Sequence, residues 1–446
     1  MKNYSQIIRH KGNSSLFDIL DVSVAGSLSG MPIHVHAEGL RGTGKTTIIR
    51  AYKEVLPMID RIKGCLFNCH PSEPHCPEHC NLSREEINSI GIERIKMPFL
   101  EISPSAKKGT VVGSIDLKKL TSKERPEAAL LLGTIPKAHR GIVFIDEINR
   151  IADTSPEIVD LLLDVMGTKP GRIQIEEAGL PVTEIPVQVT VWAASNPDED
   201  PGPLGEIRRQ LSDRFDFSVN VERPKDIWVI YKILDGSTLN SDNNITEETK
   251  GKFIRAEENL RTIGKYEPSK EVKQLLSSLY VDHCIESLRS VEAALLGTRI
   301  RGALLKRCPN IDDVIFITKY ALRHRMATKD IDSIMNNLEQ RKNTLQKPMI
   351  SNINTKTKDN KSKLSSVKGM KKELKENPKE QPFTSLKNLI KRLTNNLMCL
   401  QSNKNNNSTS NSYHQTTQLK APPEKALPIK ELDAEEHVKT EAELLR

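Results

Sequence analysis

GLRGTGKTT, residues 39–47, decides the fold. From Gly39 to Thr46 it reads G-x-x-x-x-G-K-[ST], between the strand-like PIHVHAE (32–38) and the helical TTIIRAYKEVL (46–56), the context that this pattern needs. Such a turn aims backbone N–H groups at one point, where a phosphate can be held. Gly39, Gly42 and Gly44 let the backbone wrap. Lys45 is placed for β- and γ-phosphates and the Thr46 hydroxyl for Mg²⁺, with Thr43 and Thr47 completing the candidate nucleotide contacts.

GIVFIDEIN (141–149) supplies the complementary half: four apolar residues form a buried strand that delivers Asp146 and Glu147 to its C-terminal end. Asp146 is the candidate Mg²⁺ partner, and Glu147 the group that orients and deprotonates an attacking water. VQVTVWAASNP (187–197) is a further apolar strand ending at Asn196, whose amide could reach a γ-phosphate or the attacking water. GEIRRQLSDRFDFSV (205–219) reads as a helix and then a strand, and places Arg208, Arg209 and Arg214 where a cation could reach a neighbouring subunit's nucleotide.

Short β-rich runs alternating with helical patterns over residues 31–222 predict an α/β domain, a parallel sheet flanked by helices. Residues 1–30 form a short lead with one apolar stretch, residues 223–340 read as helical throughout, and residues 341–446 are Lys-, Asn- and Ser-rich, a composition that predicts disorder. Within that tail, FTSLKNLIKRLTNNLMCL (383–400) has the spacing of a basic amphipathic helix, suited to docking a partner, an anionic membrane surface or the chain's own body. The net charge of +8 is a property of this tail: residues 341–420 hold 17 Lys and Arg against 4 Asp and Glu, and the ordered part is nearly neutral. Nucleic acid is therefore not an expected ligand of the folded part. No run near eighteen apolar residues is present, and the start lacks a charged-then-apolar leader, so the expected compartment is the cytoplasm.

CLFNCHPSEPHCPEHC (65–80) holds four of the seven cysteines, in an insert over residues 64–81 that is expected to follow one helix over TTIIRAYKEVLPMIDRIKG (46–64) and to precede the strand-like PFLEIS (98–103). Cys65, Cys69, Cys76 and Cys80 are spaced C-x₃-C-x₆-C-x₃-C and could enclose Zn²⁺ tetrahedrally, with His70, His75 or His79 able to replace one sulfur. An iron–sulfur cluster and reduced, unligated thiols are the other readings.

The order of these motifs resembles the AAA+ ATPases, P-loop NTPases, and more narrowly the ATPase (I-type) subunit of magnesium chelatase. The resemblance covers roughly residues 30–330 and rests on GLRGTGKTT, VVGSIDL, KAHRGIVFIDEIN, IVDLLLDVM, SNPDED, RRQLSDRFDFSV, SLRSVEAALLGTRIRGALL and YALRHRM. It implies an ATP- and Mg²⁺-dependent ATPase with a helical lid after the α/β domain, assembled as a homo-oligomeric, commonly hexameric, ring. By position it makes Lys45 and Thr46 the nucleotide and Mg²⁺ contacts, Asp146 and Glu147 the metal and water pair, and Asn196 the first sensor. It makes Arg214 the finger reaching the next subunit, Arg208 a second intersubunit candidate, and Arg289 the lid sensor. A partner subunit carrying a metal-adhesion domain is implied too; this chain has no complete D-x-S-x-S motif, since DGSTL (235–239) lacks the second serine. A chaperone-like motor maturing a metal-containing protein, as in MoxR-type ATPases, and a nucleotide-gated binding module are the alternative functions.

Overall fold

A computed structural model of the chain describes residues 3–115, 130–167, 169–175, 183–199, 201–235, 243–262 and 265–346. Five strands form one sheet, all parallel: β1 (Val35–Glu38), β4 (Phe99–Ile102), β7 (Ile142–Ile145), β10 (Thr190–Ser195) and β11 (Phe217–Asn220), in the order β11-β1-β10-β7-β4. Alternate residues of each strand point to opposite faces, and both faces are covered. Val35, Ala37, Phe144, Trp192, Phe217 and Val219 join one buried core, while Ile102, Val143, Ile145, Val191 and Ala193 join the other. This two-sided burial is why the strands read as unbroken apolar runs.

The first core is closed by the helix Ser14–Leu28, where nearly every residue from Leu16 to Ser27 is buried. Two of its buried polar side chains are paired: the Trp192 indole N–H donates to Ser23 Oγ at 2.8 Å, and the Tyr52 hydroxyl to Asp21 at 2.8 Å. The apolar stretch of the supposed lead is therefore a core helix of the sheet. Against it pack the helices Asn243–Arg261 and Leu288–Leu304, part of a C-terminal helical region that also holds Lys270–Asp282, Ile311–Leu322 and Thr328–Gln346. The second core is closed by Ile148–Thr154 and Pro156–Gly167.

Among the described residues, three antiparallel pairs lie outside the main sheet: β2 (Met58–Ile62) with β3 (Ile92–Lys96), β5 (Gly113–Ile115) with β6 (Leu130–Leu132), and β8 (Gly171–Ile175) with β9 (Thr183–Val187). The first corrects the expectation of one helix from Thr46 to Gly64. The helix spans Lys45–Ala51, a 3₁₀ turn covers Tyr52–Glu54, and MIDRI is strand. Pro57, without an N–H, stands where a helix would need a donor. Beyond it Ile59 and Ile62 are buried while Met58 is exposed. The cysteine stretch thus lies between two paired strands and not after a long helix. The helix expected at 383–400, and nearly all of the tail, lie outside the described residues.

The helix Leu288–Leu304 meets the sheet at Gly297, where a Cβ would lie 2.6 Å from the Phe217 ring and 2.8 Å from Ile317. Gly297→Val should therefore destabilise the fold by about 1–3 kcal/mol through overpacking. The check is the urea midpoint at constant m-value; an unchanged midpoint would show that this helix can withdraw from β11 without cost.

Candidate functional site

Parallel pairing brings the C-terminal ends of β1, β10 and β7 side by side, with Glu38 opposite Ser195 and Ala193 opposite Ile145. The loop after β1 is the glycine-rich turn, and the residues after β7 and β10 are Asp146 and Asn196. Together they line a cavity of about 310 Å³ that includes Gly42, Gly44, Lys45, Thr46, Thr47, Asp146, Glu147 and Asn196. Gly39, Gly42 and Gly44 have φ of 149°, 74° and 89°. At Gly42 and Gly44 a Cβ would meet nothing within 4 Å, so the left-handed backbone, and not crowding, is what these two glycines serve.

Lys45 is buried, and its ammonium donates to the carbonyls of Gly39 and Leu40, folding back onto its own loop. Burial pushes its pKa down, against the opposing pull of Asp146 and Glu199. The Thr46 hydroxyl donates to Asp146 Oδ1 at 3.2 Å across a hundred residues of sequence. Burial pushes the Asp146 carboxyl above its ordinary range, although Thr46 and Arg50 pull the other way. A desolvated carboxylate beside a hydroxyl is a donor set suited to a hard, oxygen-preferring cation. The open glycine turn with a buried ammonium suits phosphate oxygens. The residues present therefore fit a nucleotide with Mg²⁺.

Glu147 has φ 52°, a left-handed conformation that non-glycine residues adopt at a cost of about 1–3 kcal/mol and that clusters at functional sites. Its carboxylate accepts from Arg150 at 2.7 Å. The Asn196 amide donates to Glu199, which is also paired with Arg41.

Sequence reasoning passed over Asn149, two residues after Glu147. Its amide donates to the carbonyls of Asn196 and Gly202, both at 3.3 Å, and its Oδ1 is a buried acceptor without a protein donor. It ties the end of β7 to the loop after β10. Its place on a short helix just past an acidic pair was the available signal.

None of Arg208, Arg214 and Arg289 lines this cavity. Arg208 Nε donates to the Ala152 carbonyl at 3.3 Å. The Arg214 guanidinium packs on Gly167, so close that a Cβ there would lie 3.0 Å from it. Arg289 pairs with Asp213 at 3.1 Å. Asp213 is shared with Arg325, which donates to its side chain at 2.8 Å and to the carbonyls of Asp213 and Phe215 at 2.7 and 2.8 Å. Arg209 bonds Glu286 at 2.7 Å beside them. Arg209, Arg289 and Arg325 thus form a second, ion-paired cluster. Arg325, quoted in YALRHRM but assigned no role there, is its most buried member, with its side chain 6% exposed.

The cysteine stretch gathers differently from its expected ligand set. Cys65, Cys69, Cys76 and His79 are all buried, with ligand atoms within 4.8 Å of one another, and could hold a metal ion. Cys80 is exposed, its thiol turned to the Pro77 carbonyl at 3.9 Å, and His79 stands in its place as the fourth candidate ligand. No described helix is long and apolar enough to cross a membrane.

No family model matches the chain. The magnesium-chelatase 38 kDa subunit of Acidiphilium rubrum is 36% identical over 195 residues, 43% of this chain and 52% of that protein. The chain thus spans about half the length of that relative. The magnesium-chelatase subunit ChlI of Cyanophora paradoxa is 28% identical over 330 residues, covering 72% of this chain and 88% of the relative. Among solved structures, a chain from a reconstruction of the complex between subunits BchI and BchD of magnesium chelatase is 25% identical, with a TM-score of 0.41, over 75% of this chain and 99% of that one. The chain is a distant homologue of the magnesium chelatase ATPase subunits.

Proposed function

We propose that this chain is a Mg²⁺-dependent ATPase that works as a ring, converting hydrolysis into remodelling of a partner complex, as a chelatase motor would. The observation that supports the reading is the Thr46–Asp146 contact at 3.2 Å, which brings the helix after β1 to the end of β7, as one phosphate and cation site would require. Thr46 and Asp146 would hold Mg²⁺, and Gly42, Gly44 and Lys45 the triphosphate. When bound, the metal neutralises charge on the β- and γ-oxygens.

The chain's own residues do the rest. Lys45 leaves the Gly39 and Leu40 carbonyls for the phosphate oxygens, exchanging weak neutral acceptors for charged ones. Glu147 leaves Arg150 to accept the proton of the attacking water. Asn196, freed from Glu199, orients that water or the γ-phosphate. Beside Lys45, Arg41 and Arg150 of the same cavity, developing negative charge would gain from a further cation supplied across a subunit boundary. Arg214, outside its own chain's cavity, is the group offered to the next subunit, with Arg208 beside it and Arg289 acting from the helical region. An adhesion-domain partner subunit and metal insertion into a client complete the proposal.

Glu147→Gln should retain nucleotide binding and lower turnover by at least about a hundredfold, the scale of a lost general base. Turnover at the parental rate would remove Glu147 from that role. Arg214→Ala should bind nucleotide normally and lose about 10³-fold or more in hydrolysis. Mixed with Glu147→Gln chains, it should regain activity, because a ring then contains sites with an intact Glu147 facing an intact Arg214. No recovery in mixed rings would place the finger elsewhere.

A further inference from the structure

Three thiols and an imidazole converge at the base of the β2–β3 insert. Cys65 Sγ and Cys76 Sγ lie 3.9 Å apart, and Cys76 Sγ lies 2.9 Å from His79 Nδ1. A disulfide would need sulfurs at about 2.05 Å, and these cysteines are free. With Zn–S bonds of about 2.3 Å, the edge of a tetrahedral site is about 3.8 Å. The observed sulfur spacing is therefore that of two ligands of one ion. We propose that Cys65, Cys69, Cys76 and His79 form a closed, structural Zn²⁺ site that clamps the insert to the segment leading into β7.

A second set of contacts shows a sulfur environment built for charge. The backbone N–H groups of His75 and Cys76 both point at Cys69 Sγ, at 3.4 Å each. Such donors stabilise a metal-bound thiolate and orient it. Binding displaces the protons of three thiols to solvent and leaves a site charge of −1. Two guanidiniums stand close: Arg61 donates to the Cys65 carbonyl at 3.0 Å, and Arg140 to the Asn68 carbonyl at 3.4 Å. All four ligands are buried, so no coordination position is left for water or substrate, which makes the site structural and not catalytic.

The clamp follows from what the ligand loop grips. Asn68, between Cys65 and Cys69, donates through its amide to the Lys137 carbonyl at 2.8 Å, and its Oδ1 accepts from Arg61 at 2.6 Å. His75, next to Cys76, stacks on His139 with ring centroids 3.8 Å apart. Arg140 donates to the Asp60 carbonyl in β2 at 2.6 Å. Residues 137–140 run directly into β7, the strand that ends at Asp146 and Glu147. A metal holding 65–79 together therefore fixes the entry to the acidic strand, independently of whether the chain hydrolyses ATP.

The full chain, purified under reducing conditions and loaded with Zn²⁺, should hold one equivalent by elemental analysis, and Cys80→Ser should hold the same. Co²⁺ in place of Zn²⁺ should give a thiolate-to-metal absorption band of equal intensity in parent and Cys80→Ser. His79→Cys should keep the ion and raise that band by about one third, from three thiolates to four. Chelating the metal from the parent should speed amide exchange in residues 62–80 and 137–140. A parent chain that binds no Zn²⁺, or that holds iron and sulfide instead, would overturn the site. A loss of ion or of about a quarter of the band in Cys80→Ser would make Cys80 the fourth ligand, and unchanged exchange after chelation would overturn the clamp. These readouts use no nucleotide, so they stand apart from any failure of the ATPase reading.

Discussion

The parallel pairing of β1, β10 and β7 is the constraint on which the rest of the molecule depends. Parallel strands all end on the same side of a sheet, so three loops far apart in sequence are forced to share one edge. Glu38 paired with Ser195, and Ala193 with Ile145, leave the glycine turn, Asn196 and Asp146 within reach of one another. A slip of one residue would invert every strand's two faces, moving Trp192 and Phe144 away from the helix Ser14–Leu28. The register is thus held by the cores on both sides, and the site inherits its geometry from them.

The two faces also separate two kinds of support. On one, the helix Ser14–Leu28 and the C-terminal helices enclose large aromatic side chains, with Tyr52 and Trp192 in edge-to-face contact at 5.6 Å. On the other, the acidic pair is positioned by shorter helices and by the segment on which the cysteine insert rests. Between the sheet and the helical region, Asp213 gathers Arg289 and Arg325, so two arginines of the C-terminal helical region meet at one carboxylate just before β11. Asp213 is held below its ordinary range by these guanidiniums, in spite of its partial burial. A charge so paired is a poor general acid and a good anchor.

The glycine turn and the acidic strand were legible in the sequence because each is a contiguous stretch whose chemistry and local fold coincide. An apolar run, glycines at fixed offsets and a following helix leave little freedom. The β2–β3 pair was not legible, since LPMIDRIK suits a helix or a strand and its pairing partner lies some thirty residues on. Spacing pointed to Cys80, yet the turn at residues 76–80 buries His79 and exposes its neighbour, a choice made by packing that periodicity does not record. Asn149 and Arg325 escaped for a related reason: their partners are 47 and 112 residues away.

The central claim is that the glycine turn and the acidic strand form one nucleotide site whose Lys45 leaves its own loop for phosphate. Equilibrium binding of ATP with Mg²⁺ to the full chain and to Lys45→Ala tests this most directly. The account predicts one nucleotide per parent chain and at least a tenfold loss of affinity in the variant, a difference of about 1.4 kcal/mol or more. Equal affinity for parent and Lys45→Ala, with the variant folded, would contradict it.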